Sequence, residues 1–553
     1  MGSVLTRAGC KKGAAKGEFV EAVVCKENEL ADNELRVCDL AGEGKVLVVK
    51  HEGKVSALGT KCSHYGAPLE KGVVANGRVR CPWHGACFSL ATGDIEDFPG
   101  LDGVPCYQAV VEADGGVRVR ARRADLQANK CSQQLAGRKE DGQDVILVLG
   151  GGGAGASCVE AVRKSGFTGR LVLATREKHL PYDRPKLSKA LDMDAEKLRL
   201  RTPEFYKAAD IEVLTEHEAE SISAEEKKVR FTNGTEVGYT ALVVATGSRP
   251  RTLDCPGSDL ANICVLRSPD DGNAIAGLIP GKNVVIVGTS FIGMEAASYC
   301  VGKAASVTVV GPGDVPFARS LGPEIGAMLQ GLHEEKGVVV KNGLNVTEFK
   351  AGEDGKLAQV VLSDGTELPA DVCLLGVGAI PCTEVLKGVV DLDERGYVVV
   401  DKHLRSSVDS ILAAGDIASF PLSLAEGRRV AIGHWQLAHY LGSVAGRNAA
   451  GTQTEVNTVP FFWTMQYGKS VRYTGYCPSF DDIIYDGDVA GQKFVAFFCH
   501  GDQVQGVATL GRDPAAAQWA ERFSAAGCPS KQSVKDELAA AAEGEPAAEK
   551  QGE

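Results

Sequence analysis

The sequence predicts a multidomain protein with an N-terminal all-β domain, two α/β Rossmann-like domains and a C-terminal α+β domain. Three observations predict it. Short alternating stretches such as "KVLVVKHEGKVSAL" and "GGVRVRA", separated by Gly-rich turns, read as a small all-β domain near the N-terminus. Two strand, glycine-turn, helix segments, "VILVLGGGGAGASCVEAVRKSG" and "NVVIVGTSFIGMEAASYCVG", begin 138 residues apart. Beyond them "VPFFWTMQYGKSVRYTGY" and "QKFVAFFCHGDQVQGVATL" alternate like antiparallel strands.

A chain of 553 residues exceeds one core and divides at the usual size into about three or four domains. In order, 1–17 reads as a disordered tail, 18–123 as the all-β domain and 124–143 as a polar linker. Residues 144–270 and 401–455 read as one nucleotide-binding domain, 271–400 as a second, 456–528 as the C-terminal domain and 529–553 as another disordered tail. The net charge of −12 argues against nucleic acid as a partner. No run of apolar residues is long enough to span a membrane, and the N-terminus lacks a signal-peptide core, so an intracellular, non-secreted protein is expected.

Seventeen cysteines are scattered without a C-x-x-C, which argues for reduced, buried thiols rather than a disulfide scaffold. Cys62 and Cys81 stand apart, because "CSHYGAPLEKGVVANGRVRCPWHGACF" pairs Cys62 with His64 and Cys81 with His84. A Cys₂His₂ zinc site competes for such residues, but zinc motifs commonly keep like ligands together. One Cys and one His from each of two loops is what a Rieske [2Fe–2S] centre uses, with both sulfurs on one iron and both imidazoles on the other.

Gly150, Gly152 and Gly155 fit G-x-G-x-x-G between strand and helix, where the helix N-terminus faces a pyrophosphate. Glu177, 22 residues beyond Gly155, stands where an acid should hold ribose hydroxyls. The second fingerprint departs from the pattern, with Gly288, Ser290 and Gly293 giving G-x-S-x-x-G. Gly311 ends the following strand with neither an acid for a ribose hydroxyl nor an adjacent Arg for a 2′-phosphate, leaving NADH and NADPH both open.

The Cys and His segment resembles the Rieske ferredoxins of aromatic-ring dioxygenase systems and lacks the extra loop cysteines of respiratory Rieske proteins. "ALVVATGSRP" and "SILAAGDIAS" resemble further motifs of two-dinucleotide flavoproteins, which places Gly415 and Asp416 at the FAD. "HLPYDRPKLSK" and "FIGMEAASY" resemble the ferredoxin-reductase and apoptosis-inducing-factor flavoproteins. That resemblance implies an ion pair of Lys189 with Glu295 beside the flavin, FAD contacts from Arg184 and Arg267, and an aromatic neighbour in Trp463. A Rieske segment ahead of the reductase in one chain resembles the Rieske-bearing members of the apoptosis-inducing-factor group.

The resemblance implies an NAD(P)H-dependent oxidoreductase that passes electrons through FAD to a [2Fe–2S] cluster and on to an unidentified one-electron acceptor protein or oxygenase. A redox-sensing, pro-apoptotic interaction protein is the alternative. Cytoplasm and mitochondrion both remain open as its place, and the oligomeric state is open as well. "MGSVLTRAGCKKGAAK" fits M-G-x-x-x-[ST], so Gly2 is a candidate for myristoylation, with Cys10 and the basic Arg7, Lys11, Lys12 and Lys16 available as second membrane signals. In cells fed an alkyne-tagged myristate analogue, the chain should take up label and Gly2→Ala should abolish both label and membrane association. An unlabelled wild-type chain removes the anchor.

Overall fold

Strands apolar along nearly their whole length must be covered on both faces, and the two glycine-turn segments build two such parallel sheets. The computed structural model describes residues 18–139 and 142–544. The first sheet has five strands in the order Ile211–Leu214, Arg170–Ala174, Val145–Leu149, Ala241–Val244, Ile411–Ala413. In the second the order is Ile263–Val265, Val372–Leu375, Asn283–Val287, Ser306–Val310, Val339–Lys341. Helices Gly153–Lys164 and Trp435–Ala449 approach so closely that a Cβ at Gly442 would lie 2.1 Å from the Ala154 carbonyl oxygen.

The N-terminal domain is a six-stranded antiparallel sheet, in the order Phe19–Lys26, Gly116–Arg122, Cys106–Val111, Lys54–Leu58, Lys45–His51, Leu35–Asp39. Between Leu58 and Cys106 the chain inserts a smaller four-stranded sheet, from Val73–Ala75 through Arg78–Arg80 and Cys87–Ser89 to Ile95–Asp97. The C-terminal domain is an antiparallel sheet in the order Phe461–Gln466, Lys469–Gly475, Gln503–Leu510, Lys493–His500, Asp482–Asp488, followed by helix Ala515–Ala526. Among the described residues no helix is long and apolar enough to cross a membrane, and the Gly2 motif lies outside them.

Three expected boundaries move. Ile263–Val265, expected with 144–270, pairs with Val372–Leu375 in the second sheet. Val398–Val399, expected with 271–400, pairs with Ala418–Pro421, while Leu386, Val390 and Val398 pack in the core of the first nucleotide domain. Such short strands show no period that tells which sheet they join. The segment 529–553, expected as a disordered tail, contains helix Lys531–Gly544. Val534 is buried there against the core that holds Phe523, with Leu538 packed beside it at the i, i+4 spacing. Those two residues are its apolar face, too sparse a stripe to stand out among alanines and charges.

The N-terminal domain is fastened to the first nucleotide domain and to the C-terminal domain through buried polar contacts. Arg80, 1% exposed, ion-pairs with Asp97 at 2.7 Å in its own domain and with Glu521 of helix Ala515–Ala526 at 2.6 Å. Thr458 donates to Asp97 at 3.2 Å, Arg472 Nε to the Trp83 carbonyl at 2.9 Å and Trp435 Nε1 to the Pro99 carbonyl at 3.0 Å. Arg201 reaches Asp102 at 2.8 Å from the nucleotide side. Burial pushes the Glu521 carboxyl up, but Arg80 and Arg78 outweigh it and hold the group below its ordinary 4.5.

Leaving one partner of a buried ion pair unmatched costs about 3–5 kcal/mol. Glu521→Gln should therefore lower stability to chemical denaturation by about 3 kcal/mol at neutral pH. A carboxyl whose pKa is depressed by folding stabilises above its unfolded value, so this deficit should shrink as the pH falls below 4.5. Equal denaturation midpoints for the two proteins at pH 7 would show that the network contributes nothing.

Candidate redox site

Two loops of the small sheet repeat one turn. Cys62 N–H donates to the Ala67 carbonyl and Cys81 N–H to the Ala86 carbonyl, both at 2.8 Å. Four residues after each Cys, Gly66 and Gly85 take φ of +77° and +72°, a left-handed conformation that suits glycine. The turns bring the Cys62 and Cys81 thiols within hydrogen-bonding reach of each other. His64 and His84 point their Nδ1 atoms at one another, 3.2 Å apart.

The donors therefore form a sulfur pair and a nitrogen pair. Among the described residues no three His, Cys, Asp or Glu side chains gather as holders of a single ion. A tetrahedral zinc needs its ligands around one point, whereas a two-iron cluster takes two from each pair. Burial and the neighbouring His84 hold His64 well below its usual range, and burial with Arg472 puts His84 at about 3. Both imidazoles are thus neutral near pH 7, the form that binds metal. The donor set fits a [2Fe–2S] cluster.

Behind these loops lies a cavity of ≈ 580 Å³ that reaches from Gly152 and Asp416 to Trp463. At its first end the glycine fingerprint is built as its chemistry requires. Gly150 has φ +123°, and a Cβ on Gly155 would sit 1.8 Å from the Gly150 carbonyl oxygen. Gly152 caps helix Gly153–Lys164 without a side-chain bond, leaving its first N–H groups for a pyrophosphate. Arg184, Arg267 and Asp416 line the same end, and Ser248 donates to Asp416 at 2.8 Å. Gly415, at φ +75°, brings this turn against Ala154. Glu177 does not line the cavity. Its carboxylate accepts from Arg184 at 2.9 Å and from Tyr182 at 2.7 Å.

At the middle of the cavity Lys189 Nζ lies 2.9 Å from Glu295. Glu295 stands on helix Phe291–Cys300, 4% exposed, and also accepts from Ser188 at 2.5 Å and Thr464 at 2.8 Å. Four bonds or ion contacts from two segments of chain, 188–189 and 464–465, hold one carboxylate, which in turn holds the ammonium at the cavity wall; Met465 N–H is the fourth, at 3.4 Å. The glycine end and this cation would suit the pyrophosphate and the reducible ring of an elongated dinucleotide.

Trp463 forms that wall. It is 8% exposed, lines the cavity and meets His84 with ring centroids 4.2 Å apart and His64 at 5.8 Å. His434 was not singled out from the sequence, although it too lines the cavity, 5.7 Å from Trp463. Burial and Lys189 lower it to about 3. Its position depends on the packing of helix Trp435–Ala449, which no local motif announces.

The second fingerprint repeats the first. Gly288 has φ +117°, and a Cβ on Gly293 would lie 2.0 Å from the Gly288 carbonyl oxygen. Ser290 occupies the N-cap with extended φ/ψ of −116° and −164°, as Gly152 does at −84° and −171°, so serine is conformationally permitted there. At Gly311 a Cβ would fall 2.4 Å from Thr289 Oγ1. Thr289 thus fills the space in which a side chain at 311 would begin.

Comparison with known proteins agrees with this geometry. The pyridine nucleotide-disulphide oxidoreductase family matches residues 144–442, the Rieske [2Fe-2S] domain residues 20–108 and the reductase C-terminal domain residues 461–541. Human apoptosis-inducing factor 3 is 45% identical over 512 residues, covering 91% of this chain and 84% of the relative. The ferredoxin–NAD(+) reductase subunit of a benzene 1,2-dioxygenase system from Pseudomonas putida is 34% identical, covering 60% of this chain and 80% of its own. The structure of a covalent putidaredoxin reductase–putidaredoxin complex aligns with a TM-score of 0.68 at 29% identity, covering 73% of this chain and 100% of that one. The chain belongs to the pyridine nucleotide-disulphide oxidoreductase family, as a ferredoxin-reductase-type NAD(P)H and FAD oxidoreductase that carries its own Rieske [2Fe–2S] domain.

Proposed function

We propose that this protein performs within one chain the electron transfer that a reductase and a separate ferredoxin perform between two, and delivers single electrons to an external acceptor. When bound, FAD takes a hydride from NAD(P)H and the [2Fe–2S] cluster accepts electrons one at a time. The observation that carries the reading is the Trp463 ring, which lines the cavity on one side and contacts His84 on the other.

The residues divide the remaining work. Lys189 places a positive charge at the cavity wall, where it favours negative charge developing on a reduced ring, and Glu295 keeps the ammonium oriented. Cys62, His64, Cys81 and His84 are the proposed cluster ligands. The glycine turns at Gly150 and Gly288 admit one pyrophosphate each. Phe461 packs where a Cβ at Gly85 would lie 2.7 Å from its ring, so the reductase side fits the His84 loop without room for a second protein there. The human and mouse relatives are named for apoptosis. A redox-sensing role of that kind needs no cluster-holding loops, and the two matching turns of this chain favour electron delivery.

Gly311 and Thr289 leave no side chain to read the ribose 2′-hydroxyl by an acid, so both nucleotides are proposed donors. NADPH and NADH should give kcat/KM values within about tenfold, a difference of about 1.4 kcal/mol. The paired change Thr289→Gly with Gly311→Glu should shift preference toward NADH. A strong preference for NADH in the wild-type protein would contradict this.

Trp463→Leu tests the main reading. It should leave bleaching of the flavin by NAD(P)H near the wild-type rate and slow the subsequent loss of the oxidised cluster's absorbance at least several-fold. Equal cluster reduction in both proteins would remove Trp463 from the path.

A further inference from the structure

The same contact that admits electrons closes one side of the Rieske loops. Trp463 and Phe461 cover the His84 edge, and the buried Arg80, Asp97 and Glu521 network holds the domain in that position. An acceptor must therefore reach the site from another side. On that other side the Tyr65 ring stacks on His64, with centroids 3.8 Å apart and planes at 17°. Tyr65 is 38% exposed, and its hydroxyl donates to Asp183 at 2.6 Å, which fixes the ring across the domain boundary.

Two lysines lie on this side of the Rieske loops. Lys186 Nζ lies 5.2 Å from the Tyr65 centroid and pairs with Asp183 at 3.2 Å. Lys130 pairs with Asp102 at 3.7 Å, and the Asp102 carbonyl accepts from Ser63, two residues before Tyr65. Both carboxylates are nearly buried, with 10% and 7% of their side chains exposed, whereas the lysines are 38% and 61% exposed. Of these two pairs it is the positive member that is turned to solvent, on a chain whose net charge is −12. An acidic protein is repelled by the chain as a whole and attracted here, the condition for electrostatic steering to one site.

We propose that electrons leave through Tyr65 and that its outward face, rimmed by Lys186 and Lys130, docks an acidic one-electron acceptor protein. The proposal rests on the electron-transfer reading above. In each event the acceptor gains one electron and the reduced protein loses one, with no bond made or broken. Two acceptors are reduced for each NAD(P)H consumed.

The surface is tested first without turnover. Holoprotein is labelled with 3-fluorotyrosine, Tyr65→Phe identifies the Tyr65 ¹⁹F resonance, and hexacyanochromate(III) serves as a redox-inert paramagnetic anion. The Tyr65 signal should broaden at the lowest probe concentrations, and the Lys130→Glu, Lys186→Glu double variant should lose this effect. A Tyr65 signal that broadens no earlier than the other tyrosines overturns the positive docking face.

The exit is tested by mixing NAD(P)H-reduced holoprotein with ferricyanide and following the cluster band. Tyr65→Leu should slow reoxidation of the cluster several-fold, Tyr65→Phe should restore it, and the double charge reversal should slow ferricyanide by about tenfold while speeding hexaammineruthenium(III). Unchanged reoxidation in Tyr65→Leu overturns the exit alone, since flavin-to-cluster transfer is recorded in the same experiment. Faster reoxidation in Glu521→Gln overturns it in favour of a domain that swings out. A wild-type protein whose flavin is reduced while its cluster never is overturns the function proposed above, and this proposal with it.

Discussion

A guanidinium buried between two carboxylates of different domains is the constraint on which the redox geometry depends. Arg80 is shut off from bulk solvent, so Asp97 and Glu521 must both be in place, and Glu521 belongs to the C-terminal domain. Their mutual requirement seats the Cys and His loops over the cavity wall. Arg472 on the Trp83 carbonyl and Trp435 on the Pro99 carbonyl extend the same docking around the loops. The short distance from His84 to Trp463 follows from this docking and not from either domain alone.

The cavity shows a complementary economy. One carboxylate, Glu295, collects donors from the adjacent Ser188 and Lys189 and from Thr464 of the C-terminal sheet. Such a group costs free energy to bury unless every lone pair is used, and here the bonds that satisfy it also orient the cation. His434 beside it is kept neutral by burial and by that cation, so the wall facing the ring system carries one positive charge rather than two.

Much of this was legible in the sequence because it depends on local spacing. The C-x-H and C-x-x-H pairs, the glycine fingerprints and the parallel-sheet strands each follow from a few neighbouring residues, and the folded loops and turns have the form those residues require. What depends on distant packing was not legible. Glu521 and Arg80 are 441 residues apart. His434 takes its position from the packing of helix Trp435–Ala449, and the Tyr65 hydroxyl finds Asp183 only once one domain docks on another. Thr289 explains Gly311 through a contact across neighbouring strands, visible only once both are folded. The helix Lys531–Gly544 was hidden because two apolar contacts sufficed to seat it.

The central claim is that both halves of the electron path lie in one chain. Anaerobic stopped-flow mixing of the holoprotein with NAD(P)H, followed at the cluster band over a wide range of protein concentration, tests it most directly. The account predicts a first-order rate of cluster reduction that is independent of protein concentration. A rate that rises in proportion to protein concentration would show that electrons pass between molecules, and would contradict it.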